Sequence, residues 1–166
     1  MRLHVLPEVF VRRRSSVTVL GVLGFGAAGC RPAGLHPAVE YFPAPAAPGQ
    51  AALPFSSAVR VGRLLVLAGQ IGTDSTGRLV PGGIEAETRQ ALENVRATLA
   101  RAGSSMDQVV KCTAMLADMA EWDRMNRVYV TYFRTDRLPA RSAFGTSGLA
   151  RGARVELECW AADGRG

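Results

Sequence analysis

The sequence predicts an α/β domain of order β-β-α-β-α-β-β, with both helices on one face of a mixed sheet. Three observations predict it. Residues 85–102 place apolar side chains at helical spacing. Residues 154–162 alternate apolar and polar side chains with a period of two. Short apolar runs bounded by Gly, Pro and Asp supply the remaining strands.

Val39 to Phe42 reads as a short edge strand before a loop carrying Pro43, Pro45, Pro48 and Pro54, which excludes regular helix there. Ser57 to Val61 and Leu64 to Ile71 read as two strands around a Gly62-Arg63 turn. Leu64 to Ala68 is apolar at every position, which predicts burial on both faces. Gly72 to Gly83 is rich in turn residues, with a short extended piece at Leu79-Val80. The first helix spans Glu85 to Ala102. Thr88, Leu92, Val95 and Leu99 form its apolar stripe, Glu85 and Glu87 sit in the first turn, and Gly103 stops it. Gln108 to Ala117 reads as a strand. Asp118 then opens a second helix, with Glu121 completing a capping box. Its stripe is Trp122, Met125, Tyr129 and Tyr132/Phe133, and Pro139 ends the connection. Ser142–Thr146 and Arg154–Ala162 close the sheet. In the last strand Val155, Leu157, Cys159 and Ala161 share one face, and Glu156, Glu158 and Trp160 share the other. Two helices cover only one sheet face, so the face with the carboxylates meets water or another subunit.

Residues 1–29 read as an export signal, 30–37 as a tether, 38–163 as the domain and 164–166 as a tail. Arg12-Arg13-Arg14 precedes an uncharged run from Ser15 to Gly29. Its apolar part, Val17 to Ala28, falls short of the ~20 residues that span a bilayer and fits a signal peptide behind a positive n-region. Ala27-Ala28-Gly29-Cys30 resembles a lipobox, in which Cys30 is lipidated, and the expected location is the bacterial cell envelope. The same segment also fits an unlipidated signal, or an extension upstream of a true start near Val39, which would make the product cytoplasmic.

The net charge of +6 is carried almost wholly by arginine, Lys111 being the lone lysine. The arginines of the domain are scattered, without the basic stripe of a nucleic-acid surface. His4 and His36 both precede the domain, which removes a Ser-His-Asp triad and argues against zinc. Cys112 and Cys159 lie in apolar runs and fit either buried thiols or a disulfide.

Arg141 opens a strand after Pro139-Ala140. A guanidinium there can grip a carboxylate through two parallel hydrogen bonds, although it is one arginine among nineteen. Glu156 and Glu158 fit a solvated strand face, or a site where one carboxylate holds a water or a proton. Gly69-Gln70 fits a bulge and turn. Tyr129, on the helix stripe beside Asn126, reads as core.

Six segments in order resemble the Rid (RidA/YjgF, reactive intermediate deaminase) family. They are Leu53-Pro54-Phe55-Ser56, Leu67-Ala68-Gly69-Gln70-Ile71, Thr88 to Val95, Asn126-Arg127-Val128-Tyr129 with Tyr132-Phe133, Pro139-Ala140-Arg141-Ser142 and Val155-Glu156-Leu157-Glu158. The resemblance implies a chorismate-mutase-like fold that assembles as a homotrimer with clefts between subunits. It implies hydrolysis of 2-imino acids and their enamine tautomers to 2-keto acids and ammonia, with no metal or organic cofactor. By that likeness Arg141 binds the substrate carboxylate and Glu156 activates water. Phe55, Ala68, Gly69, Gln70, Asn126, Tyr129 and Ala143 border the cleft. Phe55, Ala68 and Ala143 stand where the founding subgroup carries tyrosine, serine and cysteine, which marks a side branch. The same fold also suits a non-catalytic trimer that binds small carboxylates or a partner protein. Ribonuclease activity, attributed to some relatives, fits the weak basic balance least.

Overall fold

Strand β7 (Val155–Ala162) forms the middle of the sheet in the computed structural model, which describes residues 37–45 and 51–164. The export signal, Cys30 and the tether as far as residue 36 lie outside the described residues. Strands β1 (Val39–Pro43), β2 (Ser56–Val61) and β3 (Leu64–Leu67) lead to one side of β7, and β5 (Val109–Leu116) and β6 (Ala140–Gly145) lie on the other. The short β4 (Gln70–Ile71) also pairs with β7. All pairs are antiparallel except β5–β6. A parallel pair needs a crossover, and helix α2 (Trp122–Tyr129) lies within it. Helix α1 (Gly83–Arg101) connects β4 to β5.

The helical stripe and the strand alternation meet in one core. Thr88, Leu92, Val95 and Leu99 of α1 are buried against Cys112, Ala114 and Leu116 of β5 and Val155, Leu157, Cys159 and Ala161 of β7. Gly103 follows α1 at φ +74°, a conformation that favours glycine, and the Ser104 N–H donates to the Leu99 carbonyl at 2.9 Å. The opposite sheet face stays open in one chain. Tyr41, Phe144 and Trp160 are 67%, 48% and 40% exposed there.

Arg60 is a buried charge on the helix face. It donates to Glu40 and to the Ala102 carbonyl at the end of α1, lies 3.6 Å from Asp163, and sits over the Phe42 ring. Three separate stretches of chain, β1, the end of α1 and the residue after β7, are thereby tied to β2.

Two expectations need correction, and the choice left open at the cysteines is decided. The run Leu64–Ile71 is two strands, interrupted at Ala68-Gly69. Its side chains alternate between buried and half-buried, because no layer covers the open face. The second helix starts at Trp122, after a 3-10 turn at Met119–Glu121. Asp118 does cap, accepting from the Ala120 N–H at 2.9 Å, but Glu121 bonds Arg154 at 2.8 Å and leaves the capping box incomplete. Cys112 and Cys159 form a disulfide. They are cross-strand partners in the β5–β7 register, with Cα atoms 4.1 Å apart.

Candidate functional site

The break at Ala68-Gly69 builds one half of the site. Glu156, at the start of β7, lays its side chain over Gly69. A Cβ at position 69 would stand 1.8 Å from Glu156 Oε1, so only glycine leaves the carboxylate this place. Burial pushes the Glu156 pKa above its usual range, and the neighbouring Glu158 charge adds to the rise. The Gln70 amide turns back to donate to the Ala68 carbonyl at 3.1 Å. Asn94 of α1 holds the following turn, its amide donating to the carbonyls of Ile71 and Thr73 at 3.0 Å each. Around this half lies a cleft of about 830 Å3, to which Leu53, Phe55, Gly69, Gln70 and Glu156 contribute. Ala68 neighbours it through the Gln70 bond.

Arg141 builds the other half. Its guanidinium carbon lies 4.6 Å from the Tyr129 ring centroid and 5.0 Å from that of Trp122. Trp122 and Tyr129 are two turns apart on α2 and face β6 together. Cation–π contact with two rings fixes the guanidinium plane and leaves its donors free for a ligand. Tyr129 is buried and packs on Phe133 at 4.8 Å. Burial raises its phenol pKa to about 12, against the opposing influence of the Arg141 charge. The Tyr129 hydroxyl and Asn126 Oδ1 are buried without hydrogen-bond partners among the described residues. Ala143 projects from β6 on the same side as Arg141 and is half-buried beside Ala114.

The two halves lie on opposite faces of the sheet. Arg141 pairs with Cys112, whose side chain is in the helix-side core. Glu156 pairs with Met115, three residues along β5 and therefore on the other face. The structure thus brings Phe55, Gly69, Gln70 and Glu156 together, and separately Arg141, Asn126, Tyr129 and Ala143. One chain does not close a site around both charges.

Trp122 was legible only as core-stripe periodicity. Its spacing to Asn126 and Tyr129, four and seven residues, places it on their helix face and is the available signal for its contact with Arg141. Chemically, a fixed guanidinium suits a carboxylate, and a half-desolvated carboxyl with a raised pKa suits proton exchange with water.

The family model described as Endoribonuclease L-PSP matches residues 45–163. A mouse protein named 2-iminobutanoate/2-iminopropanoate deaminase is 47% identical over 122 residues, covering 73% of this chain and 87% of its own. Among solved structures, the Rid-family protein YyfA of Yersinia pestis is 36% identical with a TM-score of 0.69, covering 75% of this chain and 99% of its own. Yeast Mmf1 is 31% identical with a TM-score of 0.69, covering 76% and 99%. The chain belongs to the Endoribonuclease L-PSP family, the Rid (RidA/YjgF) family whose motifs its sequence carries.

Proposed function

We propose that the protein hydrolyses reactive 2-imino acids and their enamine tautomers to 2-keto acids and ammonia. The observation that carries this is the Glu156 carboxyl seated on Gly69 in the lining of an open cleft. The names of curated relatives such as the mouse and rat proteins support the same chemistry. Arg141 takes the substrate carboxylate in a two-bond grip. Glu156 accepts a proton from water as the water oxygen bonds to the imine carbon. The proton passes to nitrogen and gives a carbinolamine; its hydroxyl proton then follows to nitrogen by way of Glu156 as the carbon–nitrogen bond breaks, so that ammonia leaves and a ketone remains. A raised carboxyl pKa makes Glu156 a stronger proton acceptor than an ordinary glutamate.

The opposite-face placement of Arg141 and Glu156 supports assembly of the site between copies, each supplying one charge. A homotrimer is the assembly that suits it. Strand β6 at the sheet edge and the uncovered face with Tyr41, Phe144 and Trp160 supply surface for such contacts. Freshly generated 2-iminopropanoate should be converted to pyruvate faster with the full-length protein present. Equal rates for wild type and Arg141→Ala would sink the proposal.

A non-catalytic carboxylate-binding role is the second reading, favoured by the apolar Phe55, Ala68 and Ala143 near the charges. Binding of 2-keto acids without imine turnover would distinguish it.

We also propose that the chain is exported to the cell envelope and lipidated at Cys30. The Cys112–Cys159 disulfide supports this, because disulfides persist in oxidising compartments. Mass spectrometry of membrane fractions tests it: unmodified Cys30 in a soluble cytoplasmic product would refute it.

A further inference from the structure

We infer that Glu87, a buried carboxylate of α1, is a positioning residue for Glu156: its side chain fixes the entry of β7 at Arg154 while its backbone packs against the turn that leaves β4. The task of Glu156 rests on the deaminase reading. Its placement by Glu87 rests on geometry alone.

The Glu156 carboxyl keeps its seat over Gly69 only while two segments hold station. One is β4, where Ile71 pairs with Glu156 and Gln70 with Leu157. The other is the entry of β7 at Arg154, about 7 Å ahead of Glu156 along an extended chain. Helix α1 meets both at one residue. A Cβ on Gly72, the residue after Ile71, would stand 2.6 Å from Glu87 Cα and 2.7 Å from the Glu87 carbonyl oxygen, so the turn lies directly on the helix backbone. From the same residue, Oε2 accepts a hydrogen bond from the Arg154 N–H at 2.8 Å. Arg154 precedes the first residue of β7, and its carbonyl accepts from the Ala117 N–H at 3.0 Å. Both backbone groups of Arg154 are therefore committed, one to α1 and one to the residue after β5.

Glu87 is 6% exposed. A carboxylate is costly to bury unless it is paired, so a position that only needed filling would suit an apolar residue better. The Arg154 guanidinium makes its closer contact elsewhere, with Glu121 at 2.8 Å, and its Nε lies 3.9 Å from Glu87 Oε1. What Glu87 adds is the bond to the backbone N–H, strengthened by its charge. Without that bond the entry of β7 can move relative to α1. Asn94 would still hold the turn after β4 through the Ile71 and Thr73 carbonyls. Glu156 would then slide with respect to Gly69.

Three substitutions in the full-length protein separate acceptor, reach and charge. Glu87→Gln keeps an acceptor of the same length without the charge. Glu87→Asp keeps the charge but is one methylene short. Glu87→Met fills the space with no acceptor. With 2-iminopropanoate as substrate, kcat should stay within about three-fold of wild type in Glu87→Gln and fall about ten-fold in Glu87→Asp and Glu87→Met, as for a partly misplaced reacting group. Affinity for pyruvate, which Arg141 grips, should not change in any of them. Glu121→Gln weakens the side-chain partner of Arg154 and leaves the backbone bond, so it should keep the wild-type kcat. A second readout needs no turnover: titration of the Glu156 carboxyl by carbon-13 NMR. Burial holds that pKa above 4.5, with Glu158 adding to the rise, and none of the variants touches Glu158. A carboxyl displaced into water should titrate lower in Glu87→Asp and Glu87→Met, and as in wild type in Glu87→Gln.

Like behaviour of the three Glu87 variants in both readouts would overturn the inference, whether they match wild type or fall together. So would a kcat loss in Glu87→Met that pyruvate affinity shares or that Glu121→Gln reproduces. Should Glu87→Met not fold, the contrast between Glu87→Gln and Glu87→Asp decides by itself. A Glu156 titration that shifts as expected, in a protein that turns over no imine, would remove the deaminase reading and leave the positioning role standing. Turnover in wild type, with kcat and titration indifferent to Glu87, would do the reverse.

Discussion

Glu156 occupies the space that a side chain at position 69 would need, with Oε1 1.8 Å from the place of a Cβ on Gly69. The obstacle to a larger residue is the end of a flexible side chain, so Gly69→Ala should fold and push the carboxylate aside. We expect kcat/KM to fall about 100-fold, the order of effect seen when a reacting group is misplaced by an ångström. Gly69→Ala combined with Glu156→Gln should be no worse than Glu156→Gln alone. Additive losses in that cycle would show that position 69 acts by another route.

The raised pKa of Glu156 makes a stability prediction of definite sign. A carboxyl whose pKa rises on folding favours the folded state fully below its ordinary value of 4.5, and that contribution disappears as pH rises through the raised value. Glu156→Gln mimics the protonated form at every pH. The variant should therefore melt above wild type at pH 7 and together with it near pH 3.5, while losing activity. The acid limb of the wild-type kcat/KM profile should lie above pH 4.5. Identical melting curves at both pH values would contradict the desolvation of this group.

Arg60 is 4% exposed and serves Glu40, Asp163 and the last carbonyl of α1 together. Removing one member of a buried charge cluster leaves the others desolvated. Arg60→Leu is expected to cost about 3 kcal/mol in urea unfolding, and Arg60→Lys part of that, because a lysine lacks the planar fork. A loss below about 0.5 kcal/mol, typical of surface ion pairs, would mean that the cluster is solvated.

The elements that were legible in the sequence are those whose signal is local. The α1 stripe and the β7 alternation each repeat within one segment, and both are found where periodicity puts them. The interruption at Ala68-Gly69 has only a weak local mark, Gly69-Gln70, which fits a bulge or turn without saying what it is for; the break accommodates the side chain of Glu156, which comes far later in the chain. The capping box at Asp118 and Glu121 looked complete, yet Arg154, brought in by the fold, took Glu121. Arg141 and Glu156 were readable as residue types, but their separation across the sheet depends on registers through β5 that neither segment contains. The Cys112–Cys159 pairing is hidden for the same reason.

That disulfide closes a loop between residues 47 apart, from β5 to β7. Chain-entropy arguments put its stabilisation at about 4 kcal/mol. Both cysteines are fully buried, so reductant should act slowly on the folded protein and quickly in denaturant. Cys112→Ala/Cys159→Ala should lower the urea midpoint accordingly. Free thiols titrated in protein purified under non-reducing conditions would show that the bridge does not form.

The placement of Arg141 and Glu156 on opposite faces is tested most directly by mixing two inactive proteins. Arg141→Ala supplies intact Glu156, and Glu156→Gln supplies intact Arg141. If each active site takes one group from each of two neighbouring copies, random co-assembly of equal amounts makes about one quarter of the sites fully wild type. Co-refolded mixtures should therefore recover up to that fraction of wild-type activity, whereas either variant alone, or the two mixed without subunit exchange, should not. A site contained in one chain gives no recovery at any mixing ratio, because every chain then lacks one of its two charges.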